Sequence, residues 1–339
     1  MSSRSRSSRA PAVTDFRAKF DKVVDNVAQV IKGKHEAIRL VLTAMLAEGH
    51  VLLEDMPGTG KTMLARSLSQ SISAVTNRIQ CTPDLLPSDV TGSPVLDMKT
   101  HEFEFRRGPV FANVLLVDEI NRATPKTQAS LLEAMQERAV TVDGVTYQLP
   151  TPFLMLATQN PIELAGTFPL PEAQLDRFLL KLSMGYPDRD AEAEMMDANW
   201  LQEAISLLEP VTDTAEMVLL QAWSRENVEL TEPLKMYIID ICQATRNDPS
   251  LLIGASPRAS LALMRVTRVR AASQGRTQVY PDDVRAMVVP VLSHRLILTP
   301  DAQLRDDSVD KVVQRILGRV PVPLGVEDDA PALTAAARA

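Results

Sequence analysis

From Thr14 onward the apolar residues Phe16, Phe20, Val23, Val24, Val27 and Ile31 fall mostly at the three- and four-residue spacings of one helical face. The pattern predicts an amphipathic helix with Thr14 as its N-cap. Gly33 ends that period. A second helix is expected from about Lys34 to Glu48, closed by Gly49, and the run His50-Val51-Leu52-Leu53 then changes to a strand pattern. Farther along, Asn113 to Val117 and Phe153 to Ala157 read as strands on either side of a helix from Pro125 to Glu137. Short apolar runs alternating with helical periods imply a mostly parallel sheet covered by helices on both faces. Between them, Ala139 to Gln148 alternates about Asp143-Gly144, a hairpin signal because both central positions of that turn need positive φ.

After Tyr186-Pro187-Asp188 helical periods take over, over residues 190–201, 213–226, 232–245, 256–273 and 281–292. The expected organisation is a Ser/Arg arm (1–13), an αβα unit (14–186), an all-helical unit (187–318) and a Pro- and Ala-rich tail (319–339). Both ends are expected to be disordered. The 339 residues are 45% hydrophobic and 23% charged, enough for a large core without disulfide or metal staples. No apolar run reaches the 18 residues of a membrane span, and no apolar stretch follows the basic arm as in a secretory signal, so a cytoplasmic protein is expected. A net charge of -7 offers no general field for nucleic acid. Cys81 and Cys242 lack metal or redox spacing and are expected reduced and buried.

Chemistry enters with Asp55-Met56-Pro57-Gly58-Thr59-Gly60-Lys61-Thr62, which follows one predicted strand and precedes a helical run beginning at Met63. That context is the one a phosphate-binding P-loop requires. Backbone N–H groups from Gly58 to Thr62 would face a phosphate at the positive end of the helix dipole, making Pro57 to Met63 the nucleotide-binding segment. Lys61 would reach the β- and γ-phosphates and the Thr62 hydroxyl would ligate Mg²⁺. The strict pattern has Gly where this chain has Asp55, which adds a carboxylate near an anion.

A second apolar run, Val114 to Val117, ends in Asp118-Glu119. Strand carboxyl ends are where doubly wound sheets bind ligands, so both acids are expected in the crevice of the phosphates. Asp118 would hold the Mg²⁺ shell and Glu119 would polarise the attacking water. Asn160, directly after another strand, is expected at the same sheet edge, within reach of water and γ-phosphate. Arg177 and Arg258, the latter opening a helix of the second unit, are weak signals taken singly. No Asn-Lys-x-Asp segment reads guanine, and the four histidines form no triad.

Taken together these segments resemble the MoxR-like AAA+ ATPases over about residues 15 to 318. The resemblance rests on Val30 to Gly33, Gly49 to Thr62, Asp118 to Ala123, Ala157 to Pro161 and Pro171 to Phe178. It implies an α/β fold, an AAA+ P-loop domain with a parallel sheet followed by an all-α lid. Asn160 would be the sensor-1 residue, Arg177 a finger inserted into a neighbouring subunit's site, and Arg258 the sensor-2 residue contacting nucleotide from the lid. Residues 84–107 would hold the insert in the second helix and 138–149 the hairpin before sensor 1. The implied activity is Mg²⁺-dependent ATP hydrolysis by a homo-oligomer, most often a hexameric ring. The implied role is chaperone-like remodelling or maturation of partner proteins, often ones with von Willebrand-factor-A-type domains. A nucleotide-gated binding platform and a chelatase-like motor subunit are the alternatives, and the acidic balance argues against a DNA track.

Overall fold

In the computed structural model the described residues are 13–56, 58–160, 166–187, 189–196, 205 and 207–323. Residues 1–12 of the expected Ser/Arg arm and most of the tail, together with Pro57 and Pro161, lie outside them, and Val13 begins the first helix rather than ending the arm.

The first two helices are Val13–Ala28 (α1) and His35–Leu46 (α2), separated at Gly33, whose φ is 69°. Their apolar stripe is buried, with Phe16, Phe20, Val23, Val24 and Val27 at the centre of the core. The strand Val51–Glu54 (β1) then leads through the P-loop into the helix Lys61–Ser71 (α3). The remaining strands of the main sheet are Thr76–Gln80 (β2), Val114–Asp118, Leu154–Gln159 and Leu180–Leu182. They form a five-stranded, wholly parallel sheet. Its order is β2, Val114–Asp118, Leu154–Gln159, β1, Leu180–Leu182.

Alternate residues of the central strands go to opposite faces, and both faces are apolar, as a parallel sheet covered on two sides requires. Val51, Leu53, Val114, Leu116, Leu154 and Leu156 pack with α1, α2 and α3. Leu52, Leu115, Val117, Met155 and Ala157 pack against Leu131, Leu132 and Met135 of the helix Pro125–Glu137. That helix has the boundaries its sequence predicts, with Pro at its first position and the Thr124 hydroxyl accepting from Thr127 N–H.

Two hairpins interrupt this layer. Residues 84–107 contain the short helix Pro87–Thr91 and the antiparallel pair Gly92–Leu96 and Phe103–Arg107, with Met98 and Phe103 about three-quarters exposed. Ala139–Val142 and Val145–Gln148 form the second, and Asp143 and Gly144 have φ of 50° and 78° as the turn demands.

Beyond the sheet, helices Thr214–Asn227, Glu232–Asn247, Pro257–Ser273, Pro281–Leu292 and Val309–Arg319 build the lid. It is helical apart from a small ribbon, Leu251–Ile253 against Ile297–Leu298. The lid shares one apolar core with α1 and α2, marked by Phe16 and Trp223 with ring centroids 5.4 Å apart. Among the described residues no helix is long and apolar enough to cross a membrane.

Candidate active site

Gly58 and Gly60 adopt φ of 83° and 87°, the left-handed region that costs glycine little. Their conformation turns the chain sharply out of β1 and starts α3 with Gly60 as its N-cap, so the loop's N–H groups and the helix dipole converge on one spot. The Lys61 ammonium folds over this loop, donating to the carbonyl oxygens of Met56 at 2.8 Å and Asp55 at 3.2 Å.

Across the crevice, Asp118 ends its strand buried, and Glu119 takes a left-handed φ of 55°. Such a conformation is unusual for a residue with a side chain and turns the chain sharply at the strand end. One hydroxyl fixes both acids: Thr158 Oγ1 donates to Asp118 Oδ1 at 3.3 Å and accepts from the Glu119 N–H at 2.9 Å. Buried Gln128 braces the next turn, donating to the carbonyls of Ile120, Ala123 and Phe168. Arg122 approaches Glu119 Oε2 at 3.1 Å. Burial first, and then the Asp118 and Glu119 charges, push the Cys81 thiol up to about 12, so Cys81 is inert.

A cavity of about 340 Å³ is lined by Gly58, Thr59, Gly60, Lys61, Thr62 and Met63, and by Asp118, Glu119 and Asn160. The described residues of the expected phosphate loop therefore meet there with both acids and Asn160. The oxygen donors Thr62 and Asp118 suit a hard dication that keeps phosphate and water ligands.

Four residues of this cavity carry no expected role from the sequence: Arg78, Gln80, Thr158 and Gln159. Of these, Thr158 holds both acids, and Arg78 reaches from the edge strand β2 to Asp118 Oδ2 at 2.6 Å. The alternation of β2 could have pointed to Arg78, since it shares a strand face with Gln80, which pairs in register with Asp118.

Asp55 lines the phosphate cavity as well, and its carboxylate is engaged there by Ser183 Oγ at 2.7 Å and by the N–H groups of Met184 and Gly185. Asp55 thereby ties the start of the P-loop to the segment that leads into the lid.

Arg177 and Arg258 do not line the phosphate cavity. They meet in another, of about 270 Å³, whose walls include Glu48, Gly49 and His50 just before β1, and Leu179 just before Leu180–Leu182. This second cavity opens at the amino ends of strands whose carboxyl ends carry the phosphate loop. β1 alone spans roughly 13 Å at about 3.3 Å per residue. Arg258 thus stands away from the phosphate loop of its own chain.

A buried clamp holds the two arginines in register. The Asp176 carboxylate accepts from Arg295 Nε at 2.8 Å and Ser256 Oγ at 2.9 Å. Arg295 also donates to main-chain carbonyls, among them those of Phe178 and Leu179. Arg177 follows Asp176 directly, and Arg258 follows Ser256 by two residues, so one junction fixes both. Burial, more than the Asp176 attraction opposing it, lowers the Arg295 pKa. Beside it, burial and then the Arg295 charge hold His294 well below the usual histidine range.

Residues 50–180 match the model of the ATPase family associated with various cellular activities (AAA), and residues 243–316 match that of the AAA lid domain. An uncharacterised Bacillus subtilis protein, YeaC, is 47% identical over 91% of this chain and 97% of its own. The Mycobacterium tuberculosis protein named chaperone MoxR1 is 39% identical over 90% of this chain and 82% of its own. Protein MoxR of Paracoccus denitrificans is 32% identical over 92% and 98%. A crystal structure described as that of a candidate ATPase from Cytophaga hutchinsonii superposes with a TM-score of 0.84 at 35% identity, over 92% of this chain and 97% of that one.

Proposed function

Because this chain belongs to the MoxR family of AAA ATPases, we propose that it binds ATP with Mg²⁺ and hydrolyses it in an oligomeric, chaperone-like machine that remodels partner proteins. The observation carrying this reading is the single cavity that gathers the loop Gly58 to Met63 with Asp118, Glu119 and Asn160. Loop N–H groups, the α3 dipole and Lys61 neutralise phosphate charge. Bound Mg²⁺ supplies Lewis-acid charge at the phosphates, with Thr62 and Asp118 as its protein-side oxygens. Glu119, aimed by the Thr158 hydroxyl, takes the proton of the attacking water, and Asn160 orients that water. Arg78 steadies Asp118 from the rim.

The nucleotide-binding unit spans residues 14–186 and the lid 187–318, in a cytoplasmic protein. Arg177 and Arg258 act on a neighbouring copy's nucleotide, because their own cradle lies at the far end of the sheet. Such a head-to-tail contact closes into a ring, a hexamer in this reading. The exposed hairpins about Met98 and Asp143-Gly144 are the surfaces offered to client proteins, von Willebrand-factor-A-type domains among them.

The test is ATP turnover of the full chain at micromolar concentration, with phosphate release measured for wild type and Glu119→Gln. Turnover abolished by Glu119→Gln is the expected result. Absence of wild-type turnover across the concentrations at which oligomers form, or turnover untouched by the substitution, refutes it.

A further inference from the structure

The cavity at the amino ends of the strands is lined by five arginines, Arg138, Arg177, Arg258, Arg265 and Arg295, against two acids, Glu48 and Asp176. Both acids are already engaged. Glu48 pairs with Arg138 at 2.9 Å through one oxygen and with Arg225 at 2.9 Å through the other. Asp176 is held by Arg295 and Ser256. Arg177, Arg258 and Arg265 form no ion pair among the described residues, Glu48 acting on Arg265 only at longer range, so three guanidiniums face one space with no anion bound to them. His50, on the same wall, is held neutral by burial, with a pKa lowered to about 3.

Arg258 and Arg265 stand seven residues apart on the helix Pro257–Ser273. Two turns separate them, which puts them on one face about 10.5 Å apart along the axis. Leu261 and Ala262, between them on that face, also line the cavity. Arg177 comes from the other domain and is fixed against this helix by the Asp176 clamp. Partial desolvation lowers the Arg265 pKa, with Glu48 opposing and the Arg138 charge adding to it, while the side chain keeps an exposed surface on the cavity. Guanidinium forks in such a cluster match the paired oxygens of phosphate groups.

We propose that Arg265 is a third guanidinium, acting with Arg177 and Arg258 on the triphosphate of a nucleotide held by a second copy of this chain. The inference rests on the trans reading of Arg177 given above and extends it to a residue of the lid helix. In this arrangement Arg177 and Arg258 meet the phosphate end, and Arg265 adds charge from farther along the same lid face.

The experiment measures ATP turnover in four full-length preparations: Arg177→Ala and Arg265→Gln, each alone and each mixed with Lys61→Ala, with mixed assemblies verified by a tag on one partner. Thermal melts check that each variant folds, and Arg265→Lys replaces Arg265→Gln should the latter not. The expected kcat loss for Arg265→Gln is about tenfold to a hundredfold. Mixing restores turnover, because an intact cradle on the Arg265→Gln copy then meets intact arginines from the Lys61→Ala copy. Wild-type turnover by Arg265→Gln overturns the proposal while leaving the trans reading standing, provided the Arg177→Ala mixture recovers. Loss that mixing does not restore, beside a recovering Arg177→Ala mixture, overturns it too by giving Arg265 a role within its own chain. Failure of the Arg177→Ala mixture refutes the trans reading itself.

Discussion

The phosphate cavity and the arginine cavity are built from the same sheet by opposite means. At the carboxyl ends of β1, Val114–Asp118 and Leu154–Gln159, each functional side chain sits within a few residues of a strand end, so local chain geometry delivers it. At the amino ends, Arg177, Arg258 and Arg265 meet only because the lid docks against α1 and α2 and Asp176 clamps the junction. One end is prefabricated by the sheet, and the other is assembled by packing. On the proposed reading, a triphosphate held at the first end and a guanidinium presented at the second belong to different subunits.

The largest effect that tests this contrast is Arg177→Ala in assembled protein, where a finger supplied in trans accounts for about 10³ to 10⁵ in kcat. Glu119→Gln removes a general base that contributes about 10² to 10⁴. The two should separate on dilution. Glu119→Gln lowers turnover at every protein concentration, whereas Arg177→Ala and wild type converge as assemblies dissociate. An Arg177→Ala defect of equal size in dilute, verified monomers would place the arginine in its own chain's site and collapse the distinction between the two ends.

The same contrast governs how much the sequence disclosed. The P-loop, Asp118, Glu119 and Asn160 are legible because each lies in a short segment where strand, turn and helix signals coincide. The helices Pro125–Glu137 and Pro281–Leu292 are legible to the residue because Pro stands at their first position. The edge strand β2 is not, because Thr-Asn-Arg-Ile-Gln carries no apolar run, and Arg78 is missed with it. Leu180–Leu182 is too short to announce itself. The helix Val309–Arg319 went unread despite burying Val312, Val313, Ile316 and Leu317 along one face. The partners of the Asp55 carboxylate are not legible, since Ser183 to Gly185 lie far along the chain. The arginine cavity is illegible for the same reason, drawing on residues from Glu48 to Arg295 that only tertiary packing unites.

Next in size is the clamp. Arg295→Met leaves the Asp176 carboxylate without its cation, and breaking a buried pair costs about 3 to 5 kcal/mol. Unfolding by denaturant should show that loss, accompanied by reduced turnover in assemblies. Stability within a few tenths of a kcal/mol of wild type would mean the junction is not held by this pair. Asp55→Gly is expected to cost somewhat less, about 2 to 4 kcal/mol, by removing hydrogen bonds to the charged carboxylate. Nucleotide binding should survive it, because the loop glycines and Lys61 remain. A variant that melts normally but no longer binds nucleotide would give the Asp55 carboxylate a role at the phosphates rather than at the junction.

The smallest effect, taken per pH unit, separates the two ends by acid sensitivity. His50 lines the arginine cavity, with Nε2 against the Met135 carbonyl at 2.9 Å and Nδ1 accepting the Met155 N–H at 3.0 Å, so its neutral form is the one the fold binds. His294 meets the Phe178 carbonyl at 3.0 Å beside Arg295. Burial first, and then neighbouring arginines, lower both: His50 to about 3 and His294 well below its ordinary value. In the unfolded chain each titrates near pH 6.5. Between about pH 6.5 and the folded values, the unfolded state binds protons that the folded state refuses, so stability falls as pH falls. The slope is about 1.4 kcal/mol per pH unit for each histidine, and the contribution is constant above that window. Denaturant midpoints from about pH 8 down to about pH 4.5 should therefore be level and then decline. His50→Gln, which keeps an acceptor and a donor without a titrating ring, should remove about half the histidine slope. A decline unchanged by His50→Gln would move the acid sensitivity away from the arginine end.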